Sequence, residues 1–141
     1  MKKYLWPSLA VMIIAFIWGN SLQPAVESEA LSIFWANLVK SIFKFCHVYM
    51  SVGVLDHMVR KLAHFTEFAV QGFFMCKSLL MFNVQKGARL ALIIGILTAI
   101  IDETIQKFVP GRSSQVTDVL LDTLGVTMGI LICRWFAVKH K

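Results

Sequence analysis

The chain has 141 residues and a mass of 15.9 kDa, which is the size of a single domain. Hydrophobic residues make up 57% of it and charged residues only 16%, whereas soluble domains are about a quarter charged. This composition argues against a disordered tail, a nucleic-acid-binding module and an ordinary soluble enzyme. The formal net charge is +6. We nevertheless expect no nucleic-acid partner, because the basic residues flank apolar segments as membrane-end anchors do.

Four apolar segments are long enough, or nearly so, to cross a bilayer core, which takes roughly 20 helical residues. In chain order these segments are 4–20, 62–82, 88–108 and 116–136. The first has aromatic residues at both ends, which favours a retained span over a cleaved signal peptide. We therefore predict an all-α polytopic membrane protein, with four transmembrane helices in one domain that covers residues 1–141.

Residues 31–50 indicate a different kind of helix. Apolar side chains recur there at helical spacing, while Lys40 and Lys44 lie on the opposite side. We expect an amphipathic helix that lies in the membrane interface between the first two spans, with its lysines towards lipid headgroups. A helix that only caps the bundle, without touching lipid, fits the same pattern.

Lys and Arg residues at the ends of the four segments indicate an orientation. With the amino terminus inside, eight lie on the cytoplasmic side, namely Lys2, Lys3, Lys77, Lys86, Arg89, Arg134, Lys139 and Lys141. Six lie on the outer side, namely Lys40, Lys44, Arg60, Lys61, Lys107 and Arg112. The excess is larger if Arg60, Lys61 and Arg112 belong to a site. We therefore expect both termini in the cytoplasm.

Ionisable and amide side chains occur inside these apolar segments, where each charge costs several kcal/mol unless it is paired or hydrated. They share one helical face within each segment, at spacings of three or four residues. They are Arg60, Lys61, His64, Glu67 and Gln71 from the second segment, Asp102, Glu103 and Gln106 from the third, and Asp118 and Asp122 from the fourth. Such groups mark candidate functional sites in membrane proteins.

A four-span topology brings the three polar faces to the same side of the membrane. The start of the second span, the end of the third and the start of the fourth are neighbours there, whichever orientation holds. Pro110 and Gly111 predict a tight turn between the third and fourth spans. That turn would hold Arg112 over the cluster. We predict one charged site, sunk below the lipid surface on the extracytoplasmic side.

Three explanations of this cluster remain open, since its five carboxylates exceed its fixed cations. It is a divalent metal site, or one or two carboxyls are protonated, or the charges form a purely structural network. The candidate metal ligands are His64, Glu67, Asp118 and Asp122. The candidate acid–base residues are His64, Glu67, Asp102 and Glu103. The candidate ligand-binding residues are Arg60, Lys61, Gln106 and Arg112.

Small residues at helical spacing predict close helix packing. Gly125 and Gly129 form one such step, and Gly95 with Ala99 forms another. The cysteines at 46, 76 and 133 are far apart and lack a metal-binding spacing, so we predict that they are packing residues.

Four sequence blocks resemble the signature of the VanZ-like family, small bacterial membrane proteins named after the teicoplanin-resistance accessory protein VanZ. The blocks are RKLAHFTEF at 60–68, DETIQ at 102–106, PGR at 110–112, and DVLLDTLG at 118–125 followed by Gly129. SLQP at 21–24 also fits the family, so the resemblance covers nearly the whole chain. Thr123 and Leu124 stand where members often have Asn before the glycine, which removes one amide from the site. The resemblance implies a cell-envelope membrane protein and supplies no reaction.

Three functions follow as hypotheses. The first is binding of an amphiphile or a lipid-linked head group, with membrane lipids, an envelope precursor or a lipoglycopeptide as partner and a contribution to teicoplanin resistance. The second is a metal-assisted enzyme that acts on a lipid phosphate. The third is a proton-coupled carrier that uses His64, Glu67 and Asp102 as a relay. Whether any reaction is catalysed stays open at this stage.

Overall fold

The computed structural model describes residues 2–45, 47 and 49–139. Cys46, predicted to be a packing residue, and Lys141, counted among the cytoplasmic cations, lie outside the described residues. The described residues form helices and no strand, which confirms the predicted all-α class. After a 3-10 turn at Lys2–Tyr4 the helices are α1 (Leu5–Ser21), α2 (Ala25–Phe45), α3 (Val52–Met81), α4 (Gly87–Lys107) and α5 (Val116–Lys139).

Three helices match the predicted segments closely, whereas α3 begins earlier than predicted, and α2 both begins and ends earlier than the predicted 31–50. The prediction started the second apolar segment at Leu62, where the continuous apolar run begins. The helix itself begins after Ser51, whose hydroxyl accepts a hydrogen bond from the backbone N–H of Val54 at 3.4 Å and caps the first turn. Its first two turns, residues 52–59, are largely apolar, and Arg60 pairs with Asp56 one turn earlier at 2.8 Å.

Helix α3 organises the bundle, since it contacts each of the other four helices and packs most extensively on α5. The two backbones approach closely at the predicted glycine step. A Cβ atom at Gly125 would lie 2.5 Å from the carbonyl oxygen of Phe65, and one at Gly129 would overlap the carbonyl group of Ala69. The predicted close packing at Gly125 and Gly129 is therefore confirmed, and α3 is the surface that these glycines face.

The apolar core between the helices is small, and except for Phe68 its side chains are short or of medium size. Its buried members are Ile17, Phe68, Cys76, Ala91, Ala99, Val126, Ile130 and Cys133. The prediction that Cys76 and Cys133 are packing residues is confirmed. Many larger apolar side chains instead lie on the outer surface of the bundle.

Among the described helices, only α5 is both long and apolar enough to cross a membrane, by length and composition. Helix α1 is apolar but has 17 residues. Helix α4 has the length, but Arg89, Asp102 and Glu103 lower its apolar content, and α3 carries the polar residues of the predicted cluster. The ionisable groups that indicate a site therefore also lower the hydropathy by which a membrane span is recognised. The four membrane spans stay a prediction.

The close approach of α3 and α5 can be tested with a single methyl group. Gly129→Ala places a Cβ against the carbonyl group of Ala69, so we expect it to lower the free energy of unfolding by about 1–3 kcal/mol, as overpacking does. Gly19→Ala is the matched control, since its Cβ would have no atom within 4 Å, and it should be neutral or slightly stabilising. Unfolding of the purified protein measures both variants. Equal stability of the two would contradict the interface.

Candidate functional site

Most of the polar side chains predicted from three separate segments line one cavity of about 260 Å³. We refer to it as the charged cavity. Its walls come from α3, α4, α5 and the loop between α4 and α5, and Glu29 of α2 also lines it. The sequence-predicted residues that line it are Arg60, Lys61, His64, Glu103, Gln106, Arg112, Asp118 and Asp122. The structure thus brings most of the predicted set together at one end of the bundle.

Asp102 lies beneath this cavity and is fully buried. Both of its oxygens accept hydrogen bonds from neutral groups. The Ser21 hydroxyl donates to Oδ1 at 2.7 Å, and Nε2 of Gln106 donates to Oδ2 at 2.8 Å. Nδ1 of His64 lies 3.9 Å from the same Oδ2. The carboxylate is therefore held in one orientation by α1 and α4, with an imidazole beside it.

Asp122 is also fully buried, but its environment is different. Neither of its carboxylate oxygens has a hydrogen-bond partner among the described residues. One oxygen belongs to a compact group with a ring nitrogen of His64 and an oxygen of Asp102, and these three atoms lie within 4.8 Å of one another. A buried carboxylate is costly unless a proton or a cation neutralises it.

Two of the predicted cations are engaged in salt bridges at the rim of the cavity. Arg60 contacts Asp56 at 2.8 Å and Glu29 of α2 at 3.2 Å, while Nζ of Lys61 lies 2.5 Å from Asp118. Burial alone would raise the pKa of Asp56, but the hydrogen bonds and charge of Arg60 outweigh it and hold that pKa below its ordinary value. Because Arg60 and Lys61 are about one third exposed, their salt bridges contribute little to stability and chiefly set the local charge.

Arg112 holds the end of α1 rather than a carboxylate. The predicted turn forms, with Gly111 at a φ of +79° and the backbone N–H of Arg112 donating to Val109 at 3.2 Å. The guanidinium donates to the carbonyl oxygen of Asn20 at 2.8 Å and to that of Gln23 at 3.1 Å. Within the described part of the chain it forms no salt bridge, so its charge is not directly neutralised.

Three predicted candidates lie apart from the group formed by His64, Asp102 and Asp122. Glu67 turns towards α1, where Nδ2 of Asn20 donates to it at 3.1 Å, and it is absent from the described lining of the cavity. Asp118 is one turn above Asp122 and contacts Lys61. Glu103 lines the cavity and accepts a hydrogen bond from the backbone N–H of Gln115 at 2.9 Å. The structure therefore groups Asp102, not Glu67 or Asp118, with His64 and Asp122.

Beside the charged cavity lies a second, apolar pocket of about 440 Å³. Its wall is apolar except for His57 and Lys61, and it is built by α2, α3 and α5. The apolar residues that line it are Val39, Phe43, Leu55, Met58, Val59, Leu62, Phe65 and Leu121. The two cavities share His57, Lys61 and Leu121, so they adjoin.

Sequence reasoning missed the contributions of α1 and of the first turns of α3. Ser21 supports Asp102, and Asn20 contacts both Glu67 and Arg112. The SLQP motif at 21–24 lies at this end of α1, but in the sequence it indicated only the family resemblance and not a contact with the site. Asp56 was missed because it precedes the apolar run, yet its spacing of four residues from Arg60 is that of a helical ion pair.

Comparison with known proteins identifies the family of the chain. No curated protein and no solved structure matches the chain significantly. A family model described as VanZ/LLP1 matches residues 7–137, which include every residue that lines the two cavities. The family resemblance found in the sequence is thereby confirmed. The chain belongs to the VanZ/LLP1 family.

Proposed function

We propose that this chain is a cell-envelope membrane protein that binds an amphiphile, with the polar head group in the charged cavity and the apolar part in the apolar pocket. The observation that carries this proposal is that the two cavities adjoin and share His57, Lys61 and Leu121. An amphiphile joins a polar and an apolar end in one molecule, and adjoining cavities of opposite character match those two ends.

A membrane location agrees with the outer surface of the bundle. Large apolar side chains are more than half exposed on α1, α4 and α5, and a continuous apolar surface of this kind needs lipid or a partner to cover it. Examples are Val11, Phe16, Ile93, Leu97, Leu124 and Leu131. In the proposed arrangement α1, α3, α4 and α5 cross the membrane, both termini are cytoplasmic, and the charged cavity opens on the outer side.

Helix α2 would then lie at the outer membrane surface, beside the apolar pocket. Lys40 and Lys44 are exposed, while Val39 and Phe43 line the pocket. This distribution supports an interfacial helix that covers the acyl part of a bound amphiphile and directs its lysines to anionic headgroups.

Carboxylates outnumber cations around the cavity, but one of these cations, Arg112, favours a phosphorylated head group. Arg112 carries a charge that no described carboxylate contacts directly, and a guanidinium binds phosphate through two parallel hydrogen bonds. Lys61 also lines the cavity, and its ammonium group has further hydrogens to donate although it contacts Asp118. A membrane phospholipid and a lipid-linked envelope precursor both carry such a head group.

Head-group binding is tested with lysophosphatidic acid and with the monoacylglycerol of the same chain, added to purified protein in neutral detergent. Arg112→Gln keeps a donor for the α1 carbonyls but removes the charge. We expect it to weaken lysophosphatidic acid binding about tenfold or more, since hydrogen bonds to charged groups contribute about 1.5–3 kcal/mol. Lys107→Gln is the matched control, because Lys107 is an exposed cation at the end of α4 that leads to the Arg112 turn. This substitution should leave the affinity unchanged.

The apolar pocket is tested in the same titration. Val59→Trp places a large side chain in the pocket and should weaken binding of long-chain lysophosphatidic acid more than binding of a short-chain analogue. Leu120→Trp is the control, because Leu120 is 61% exposed on α5 and outside both cavities. Affinity that depends on neither Arg112 nor the volume at Val59 would refute the proposed binding mode.

We further propose that amphiphile binding contributes to resistance against lipoglycopeptides such as teicoplanin. Expression of the chain in a teicoplanin-susceptible bacterium should raise the inhibitory concentration of teicoplanin, and Arg112→Gln should abolish the increase at equal protein level. Lys107→Gln should retain it. If expression of the unaltered chain does not change the inhibitory concentration, the resistance role is refuted. The lipid-binding role is then tested by the titrations alone.

A further inference from the structure

Three helices supply one compact group of metal-ligating atoms beneath the charged cavity. His64 comes from α3, Asp102 from α4 and Asp122 from α5. A ring nitrogen and two carboxylate oxygens of these residues lie within 4.8 Å of one another. Tetrahedral ligands at about 2.1 Å from a cation lie about 3.4 Å apart, so movements of about 1 Å bring the three atoms to coordination distance.

The Asp122 carboxylate supplies the independent observation. It is fully buried, and neither oxygen has a hydrogen-bond partner in the part of the chain that the structure describes. Two cations that line the same cavity are already engaged, since Lys61 contacts Asp118 and Arg112 donates to α1 carbonyl oxygens. An acceptor that is buried, unpartnered and directed at an imidazole and a second carboxylate is suited to a bound cation.

The surroundings of Asp102 fit the same interpretation. Ser21 and Gln106 donate hydrogen bonds to its two oxygens at 2.7 and 2.8 Å. Outer groups of this kind orient the ligand carboxylates of metal sites. They are neutral, so they orient the carboxylate without neutralising it, and a divalent cation would balance the charge of the two buried acids in their ionised form.

We propose that His64, Asp102 and Asp122 bind one divalent transition-metal ion, Zn²⁺ or Mn²⁺, at the base of the charged cavity. One imidazole and two carboxylates suit these ions. His64 and Asp122 also line the cavity, so the remaining coordination positions face it and are open to water or an anionic group. The proposed metal site does not require amphiphile binding, so each of the two proposals can be tested without the other.

The test uses the full chain, purified without chelator and without a polyhistidine tag. Calorimetric titration with Zn²⁺ and with Mn²⁺ should give one site per chain for at least one of the two ions. Asp122→Asn and His64→Ala should each weaken that binding at least about 100-fold, since even outer-shell substitutions weaken metal binding by about 10–100-fold. Thr66→Val is the matched control on α3, because the exposed Thr66 hydroxyl donates to the Leu62 carbonyl oxygen and not to the site, and it should leave the affinity unchanged.

Thermal unfolding separates loss of the ion from loss of the fold. Without metal, Asp122→Asn should be at least as stable as the unaltered chain, because it removes an unpartnered buried carboxylate. With the bound ion, the unaltered chain should gain stability and Asp122→Asn should not. Absence of binding to either ion, or equal binding by Asp122→Asn, would overturn the proposal. Amphiphile titrations of the same preparations report on the proposed function separately.

Discussion

Two fully buried carboxylates, Asp102 and Asp122, set the conditions that the rest of the site must meet. Asp102 is satisfied by neutral donors from α1 and α4, whereas Asp122 lacks a described partner. Two fixed cations contact other groups. Lys61 forms a salt bridge with Asp118, and Arg112 donates a hydrogen bond to a carbonyl oxygen at the end of α1. The cavity above the two acids therefore holds an uneven distribution of charge, as many functional sites do.

The fold places Asp122 in this position through the same helix face that packs α5 on α3. Asp122, Gly125 and Gly129 follow one another at spacings of three and four residues, so they share that face. The glycines let the two backbones approach, and the close approach brings Asp122 beside His64. Helix packing and site assembly are thus one structural feature, and α2 adds the apolar pocket beside it.

The sequence predicted the helices, the turn at Gly111 and the polar faces, because periodicity reports the face on which a side chain lies. It could not predict which members of one face meet another helix. Residues three apart are offset by about 60° around a helix, which is enough to turn Glu67 to α1 while His64 faces the cavity. Residues four apart differ in depth by about 6 Å, so Asp118 stays at the rim with Lys61 while Asp122 is buried.

The account depends most on Asp102 and Asp122 being neighbours in one buried site. A double-mutant cycle of Asp102→Asn and Asp122→Asn, measured as the free energy of unfolding of the metal-free chain, tests this directly. If the acids are neighbours, neutralising one relieves the other, and the double variant should depart from the sum of the single effects by more than about 0.5 kcal/mol. Additive effects would contradict the account, because they would mean that the two carboxylates do not interact.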